Sequence, residues 1–343
     1  MSMTVSVIVP TYNRPDCVRR CIECLLEQTP QPDQIIIVDA SPDTRTRDAV
    51  AEYPGVVYLF NESGRGNTPN SRNAALEIAF GEIIAFLDDD AYVMSGWLPN
   101  MVETFESDPK IGGVAGRALR LQPGEENIGK DRIGLLTANG ILTGNFAAEP
   151  GKWVEVDHMI GCNMALRGDI IATLGGFKDD DHIGPYCICE ETEICLRAKR
   201  LGYRLVFNPA VCAEHVGAVK PAGPRFNMAY IFWHCRNNLV MLFRNYGLGI
   251  IVWRHIGFMI VKCFGSCLKR IWHALVHLGS EYLGLMAGFF AGIYLLLKTG
   301  AKPERNDAKG RRIREAMQRN RRVAARPAAS EPAELTAGPA REA

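Results

Sequence analysis

Ile83-Ile84-Ala85-Phe86-Leu87-Asp88-Asp89-Asp90 is the stretch on which the reading of this chain turns. Five apolar residues without polar alternation predict a strand buried on both faces. Three adjacent carboxylates close it. Like charges on one short loop repel, so a compensating cation is the natural partner. Hard oxygen ligands suit Mg²⁺ or Mn²⁺, which keep waters and bind substrate phosphates. A solvated turn or a helix N-cap is the plainer alternative, because Asp is favoured in both.

Upstream, the same pattern recurs. Val5–Val9, Ile35–Val38 and Val56–Phe60 are apolar runs separated by helix-like segments. One helix is predicted to start near Pro15, a residue favoured at the first helical position. Another is predicted over Pro69–Phe80, with Gly81 as its C-cap. Buried strands alternating with helices predict an α/β fold with a mostly parallel central sheet. In such sheets ligands bind beyond the carboxyl ends of the strands. The polar residues follow that rule. Pro10-Thr11-Tyr12-Asn13-Arg14 ends the first strand, Asp39 the second, Asn61-Glu62 the third, and the aspartates the fourth. Downstream, from 110 to 224, the pattern loosens into mixed strands and glycine-rich turns, with one clear helix over Glu190–Leu201 that stops at Gly202.

Six segments in order resemble family 2 glycosyltransferases, which have the GT-A fold. They are Val5–Arg14, Val38-Asp39-Ala40-Ser41, Asn70-Ser71-Arg72-Asn73-Ala74-Ala75, Phe86–Asp90, Gly161-Cys162-Asn163-Met164-Ala165 and Glu190–Arg197. The resemblance covers about residues 4–240. It implies inverting transfer of a sugar from a nucleotide-sugar donor by direct displacement. It assigns Pro10, Thr11, Tyr12, Asn13, Arg14, Asp39, Arg72, Asp88 and Asp89 to the donor. Asp90, Asp88 and His215 fall to the metal, and Gly161, Asn163, Glu190 and Arg236 to the acceptor. Asp39 is expected to read the base, with a helix N-cap as the plain alternative. For Arg72 the alternative is a surface pair with Glu77 or Asp88. The family's base is the Asp of an E-D pair, which aligns with Glu191. Glu is one methylene longer, so the choice between Glu190 and Glu191 stays open. Adjacent helical residues point about 100° apart, so one faces the sugar; the other is expected to bind acceptor hydroxyls or Arg197.

Beyond residue 227 the chain changes character. Tyr246–Val261 and Leu283–Leu297 are apolar, and the second run holds fifteen uncharged residues. That is short of the roughly 20 a transmembrane helix needs. Lysines, arginines and histidines between the runs suit helices lying in a membrane interface. The basic stretch Lys302–Arg326 favours an anionic cytoplasmic leaflet. The alternatives are a helical subdomain on the catalytic core or a homodimer interface. The expected organisation is a GT-A catalytic domain over 1–227, divided near 110 into a nucleotide-sugar half and an acceptor half. A helical, membrane-associating region follows over 228–300, then a basic tail over 301–343 that is expected to be largely disordered, with a frayed helix near Arg311–Arg322.

Composition sets the outer limits. The formal net charge of the 343 residues is +1, so bulk charge points to no nucleic-acid partner. The chain opens on a strand rather than a basic and apolar leader, so a cytoplasmic setting with reduced thiols is expected for its eleven cysteines. Cys17, Cys21 and Cys24 share a helix face and read as small buried residues rather than a zinc site; the Cys187-x-Cys189 pair near His182 reads the same way. A saccharide or lipid-linked acceptor is the expected partner. A nucleotidyltransferase is a weaker alternative, since its glycine-rich loop after strand one is absent from Thr11–Pro15. A non-catalytic nucleotide-sugar-binding scaffold is another, because Glu replaces the family's Asp.

Overall fold

A computed structural model of the chain describes residues 3–120, 123–178, 188–217, 228–270, 280–299 and 308–324. In chain order its elements are β1 (Val5–Thr11), α1 (Pro15–Leu26), β2 (Gln34–Asp39), α2 (Arg45–Val50), β3 (Val56–Phe60), α3 (Thr68–Leu76), β4 (Ile83–Leu87), β5 (Ala91–Val93), α4 (Trp97–Ser107), β6 (Ile111–Leu119), β7 (Val154–Val156), β8 (Asn163–Arg167), α5 (Gly168–Leu174), α6 (Glu190–Arg200), β9 (Arg204–His215), α7 (Met228–Tyr246), α8 (Ile250–Arg270), α9 (Ser280–Thr299) and α10 (Ala308–Ala324).

Local chemistry explains the first elements. Pro15 stands at the start of α1, and Val18, Cys21, Ile22 and Leu25 form its buried stripe. Asn67 caps α3 by accepting the Asn70 N–H at 3.1 Å. Successive strand residues point to opposite faces. Val5, Val7, Val9, Ile83, Ala85 and Leu87 therefore pack toward α1 and α4. Ile8, Ile36, Val38, Ile84 and Phe86 pack toward α3, α5 and α6.

The sheet is mixed rather than mostly parallel. Its strands run β3-β2-β1-β4-β8-β6-β9-β5, with β7 also on β9. The expected parallel block ends at β4: β8 is antiparallel to both β4 and β6, and β5 and β7 are antiparallel to β9. The sequence signal that justified a parallel sheet was buried runs alternating with helices. That signal stops at β4, where β5 follows directly without a crossover helix.

Two boundaries differ from expectation. α3 ends at Leu76, a turn earlier than predicted, and Gly81 is not its cap. Gly81 instead allows close approach of β1: a Cβ there would lie 2.4 Å from the Ser6 amide nitrogen. The carbonyls of Glu77 and Gly81 are satisfied from far away in sequence, by Asn320 Nδ2 at 2.8 Å and Arg321 Nη2 at 2.9 Å. The donors belong to α10. The frayed helix expected near Arg311–Arg322 is thus longer and packed over 308–324, where Ile313 and Met317 enter the same core layer as Ile170 and Leu76. An apolar stripe inside a basic segment is enough to seat the helix on α3 and α5. Residues 300–307 and 325–343, including Lys302, Arg305 and Arg326, lie outside the described residues.

α7 to α9 pack around Leu239, Leu242, Val252, Met259 and Phe289. Among the described residues, no helix is long and apolar enough to cross a membrane. His182 and Cys187 fall outside the described residues; Cys17, Cys21, Cys24 and Cys189 are free thiols.

If α10 is a core element, Ile313→Ala should lower unfolding stability by about 2–4 kcal/mol. Denaturant unfolding followed by circular dichroism checks this; a midpoint unchanged from the parent would show that the tail is dispensable.

Candidate active site

Strand register builds the site. Thr11 pairs with Asp39 across β1 and β2, Leu87 with Asn163 across β4 and β8, and Ala91 with His215 across β5 and β9. The aspartates follow Leu87 and precede Ala91. One rim therefore carries Thr11, Asp39, Asp88–Asp90, the Gly161 loop and His215.

The three aspartates have three different surroundings. Asp89 is fully buried; it accepts from Thr11 Oγ1 at 2.6 Å and from Arg14 Nε at 3.0 Å. A second oxygen pairs with Arg14 Nη2. Arg14 also reaches Asp90 Oδ2 at 3.1 Å. Burial pushes the Asp89 carboxyl up to about 7, against the pull of Arg14 and the Thr11 hydroxyl. Arg14 and Asp89 were expected at the donor. Asp89 is buried and engaged with the partly exposed Arg14, because a loop of like charges beside a dry strand needs a neighbouring cation. Neither a solvated turn nor a helix cap describes this loop: Asp89 and Asp90 are buried, and β5 follows.

Asp88 and Asp90 face His215 instead. Its Nε2 lies 3.4 Å from Asp90 Oδ1 and 3.9 Å from Asp88 Oδ2. One ligand atom from each of the three lies within 4.8 Å of the others. Two carboxylates and an imidazole at this spacing fit a divalent cation of the Mg²⁺ or Mn²⁺ type with small adjustments, given ligand distances of about 2.0–2.2 Å. Burial disfavours charge on His215, but Asp90, the Cys162 thiol and Asp88 outweigh it and raise the imidazole to about 10. The pocket is thus built to hold positive charge. Among the described residues this is the one cluster with metal-ligand spacing.

Arg72 joins this centre to α6. Buried to 1% exposure, it donates to the Gly161 carbonyl at 2.9 Å and lies 3.6 Å from Asp88 Oδ1 and 3.7 Å from Glu190 Oε1. It is neither on the surface nor paired with Glu77. Gly161 faces the same space: a Cβ there would lie 3.2 Å from Arg72 Nη2 and 3.8 Å from Glu191 Cδ. Arg72 Nε and Nη1, Glu190 Oε2 and Glu191 Oε2 are buried without a hydrogen-bond partner. Burial and the adjacent Glu191 charge push the Glu190 carboxyl well above the usual range, with Arg72 opposing. The Glu190 carboxyl lies against Glu191, within reach of the Arg72 guanidinium.

Other expected residues are placed differently. Asn163 is fully buried; its amide donates to the Arg117 and Val211 carbonyls and accepts from Trp97 Nε1, all at 2.9 Å. It ties strands together and has no group left for an acceptor. Arg197 pairs with Glu193, not with Glu190 or Glu191, and holds the Leu174 and Gly176 carbonyls of the α5 end. Arg236 stacks on Trp233 and donates to Asn237 at 2.8 Å, in the cleft between α6 and α7 that Glu190 also lines. Asp39 caps no helix. It is buried and accepts from the Ser41 N–H at 2.8 Å and the Tyr58 hydroxyl at 2.9 Å. Tyr12 is exposed on this rim, and Asn13 holds a left-handed φ of 55° as its N–H meets Ser41 Oγ.

Sequence reasoning missed Tyr58, the Cys162 contact with His215, and His158. The His158 ring is buried against the Thr143 carbonyl; burial lowers its pKa while the Glu191 charge opposes. A lone tyrosine in a strand and a lone histidine in a loop carry no spacing signal.

Residues 6–175 match the model of glycosyl transferase family 2. The chain belongs to this family. It is a glycosyltransferase with a GT-A-like α/β fold and a mixed sheet. Among its relatives is the glucosyl-dolichyl phosphate glucuronosyltransferase of Haloferax volcanii, 26% identical over 62% of this chain and 69% of that protein. The probable glycosyltransferase YdaM of Bacillus subtilis is 27% identical over 60% of this chain, which spans only 49% of its length. The mannosyltransferase PcManGT of Pyrobaculum calidifontis, solved with GDP-Man and Mn²⁺, has the same fold. The TM-score is 0.55 at 18% identity, over 93% of this chain and 87% of that one.

Arg14→Ala removes the internal cation from this glycosyltransferase's aspartate loop. It should lower stability toward the bottom of the ~3–5 kcal/mol range for broken buried pairs, since Arg14 is partly exposed. Thermal melts should show part of the loss recovered by Mn²⁺; a melt equal to the parent's would mean that Arg14 balances nothing.

Proposed function

We propose that the chain transfers a sugar from a nucleoside-diphosphate sugar to a hydroxyl of a glycan or lipid-linked acceptor, by direct displacement with inversion. The observation that carries this reading is the continuous path from Asp88, Asp90 and His215 through Arg72 to Glu190 and Glu191, ending in buried, unpartnered polar atoms. A diphosphate needs positive charge at one end of such a site, and an acceptor hydroxyl needs a base at the other.

Asp88, Asp90 and His215 would hold Mg²⁺ or Mn²⁺, which would supply positive charge beside the leaving nucleoside diphosphate. Arg72 keeps Asp88 and the Gly161 loop in register, so the donor's anomeric carbon faces α6. Glu191 takes the acceptor proton as the new bond forms. Glu190, its carboxyl pushed up by burial and by the Glu191 charge, offers a hydrogen bond to the sugar hydroxyls. Asp39, steadied by Tyr58 and Ser41, reads the nucleobase. The Haloferax relative's name supports a lipid-linked acceptor for that protein, and we extend that class to this chain.

Thermal shifts with a panel of nucleotide-sugars, with and without Mn²⁺, should single out one donor by a metal-dependent rise in melting temperature. Asp90→Ala and His215→Ala should abolish that dependence. Glu191→Gln should bind the donor normally yet lose at least about 100-fold in turnover, the low end for a general base. Glu190→Gln should lose less, since an amide still donates. Full turnover in Glu191→Gln would move the base elsewhere, and donor binding by the parent without transfer or hydrolysis would favour a binding scaffold.

Tyr58→Phe should raise the donor KM with little change in kcat and cost about 1 kcal/mol of stability, the usual worth of one hydrogen bond. Steady-state kinetics and denaturation separate the two effects.

A further inference from the structure

Helix α8 has two apolar faces, and only one is packed. Val252, His255 and Met259 point inward, where Val252 and Met259 join Leu239 and Leu242 of α7. Ile250, Trp253, Gly257, Ile260 and Val261 point outward. At 100° per residue the outer set fills a sector about 100° wide, opposite the inner one. Ile250 is 69% exposed, Trp253 63% and Val261 70%. Tyr246 and Leu248, just before the helix, are exposed too, and so are Phe290 and Tyr294, one turn apart on α9. Scattered apolar residues on a surface are ordinary, but a continuous stripe of aliphatic residues with a tryptophan is not.

Charge identifies what covers it. Residues 1–227 carry 21 lysines and arginines against 31 aspartates and glutamates, whereas 228–299, which hold α7 to α9, carry seven against one. The segment with the stripe is thus net positive even without the basic α10, which packs on α3 and α5. Such a combination of a basic segment, an outward apolar stripe and tryptophan or tyrosine at its edge suits an anionic bilayer. Among the described residues no helix can cross, so α8 would lie in the plane of the interface.

We infer that the outer face of α8 docks this protein on an anionic lipid surface, of the kind a cytoplasmic leaflet presents, with Trp253 and its apolar neighbours entering the headgroup boundary. Helix α7, which packs under α8, lines the cleft at Glu190 through Arg236 and Val240, so docking would place that cleft near the membrane. This inference stands apart from the transferase reading, because vesicle binding needs no turnover.

Co-sedimentation of the full chain with phosphatidylcholine vesicles, with and without phosphatidylglycerol, tests it. The parent should partition onto the anionic vesicles and lose binding as salt rises. The double variant Trp253→Glu and Val261→Glu should lose partitioning on the order of tenfold or more. Circular dichroism and the donor-induced thermal shift should match the parent and show that the variant is folded. Equal sedimentation of variant and parent would overturn the inference, as would a parent that ignores anionic vesicles. A parent that is dimeric in light scattering and binds no vesicles, with a monomeric variant, would also overturn it and assign the stripe to a second copy of the chain.

Discussion

Three carboxylates at the end of one buried strand cannot coexist without positive charge, and the rest of the site is arranged around that constraint. β4 is apolar on both faces, so its end lies in dry surroundings where unpaired charge is costly. The chain answers with three cations from three distant places. Arg14, after β1, neutralises Asp89 and part of Asp90. His215, at the end of β9, faces Asp88 and Asp90. Arg72, inside α3, stands beside Asp88. The first of these is structural; the other two border open chemistry.

That division explains why three adjacent residues have separate roles. Asp89 is locked, with its oxygens occupied by Thr11 and Arg14. Locking it fixes the loop, and the fixed loop aims Asp88 and Asp90 at His215. Arg72 then extends the electrostatics toward α6, where it meets Glu190. A change in charge at the aspartates is felt at the carboxylate pair through one buried guanidinium.

The carboxyl-terminal part is less independent than its composition implies. α10 carries a dense basic pattern, yet Ile313 and Met317 sit in the same core layer as Phe86 and Leu76. Its Asn320 and Arg321 satisfy carbonyls after α3, close to the start of the strand that carries the aspartates. The helix thus braces the back of the strand whose front end carries the aspartates.

Much of this was legible in the residues alone. The runs at 5–9, 35–38, 56–60 and 83–87 are strands because consecutive buried residues admit little else, and polar residues at their ends mark the rim. Asp88, Asp90 and His215 could be singled out by order and chemistry as metal candidates, and their ligand atoms do cluster. Pairing could not. That β8 runs antiparallel, that Asn163 is spent on Arg117, Val211 and Trp97, and that Arg14 pairs with Asp89 and Asp90 are facts about which distant groups meet. Local sequence encodes periodicity, capping and charge within a few residues. Register between strands 75 or 120 residues apart is settled by how the whole core closes, and only the tertiary structure decides it.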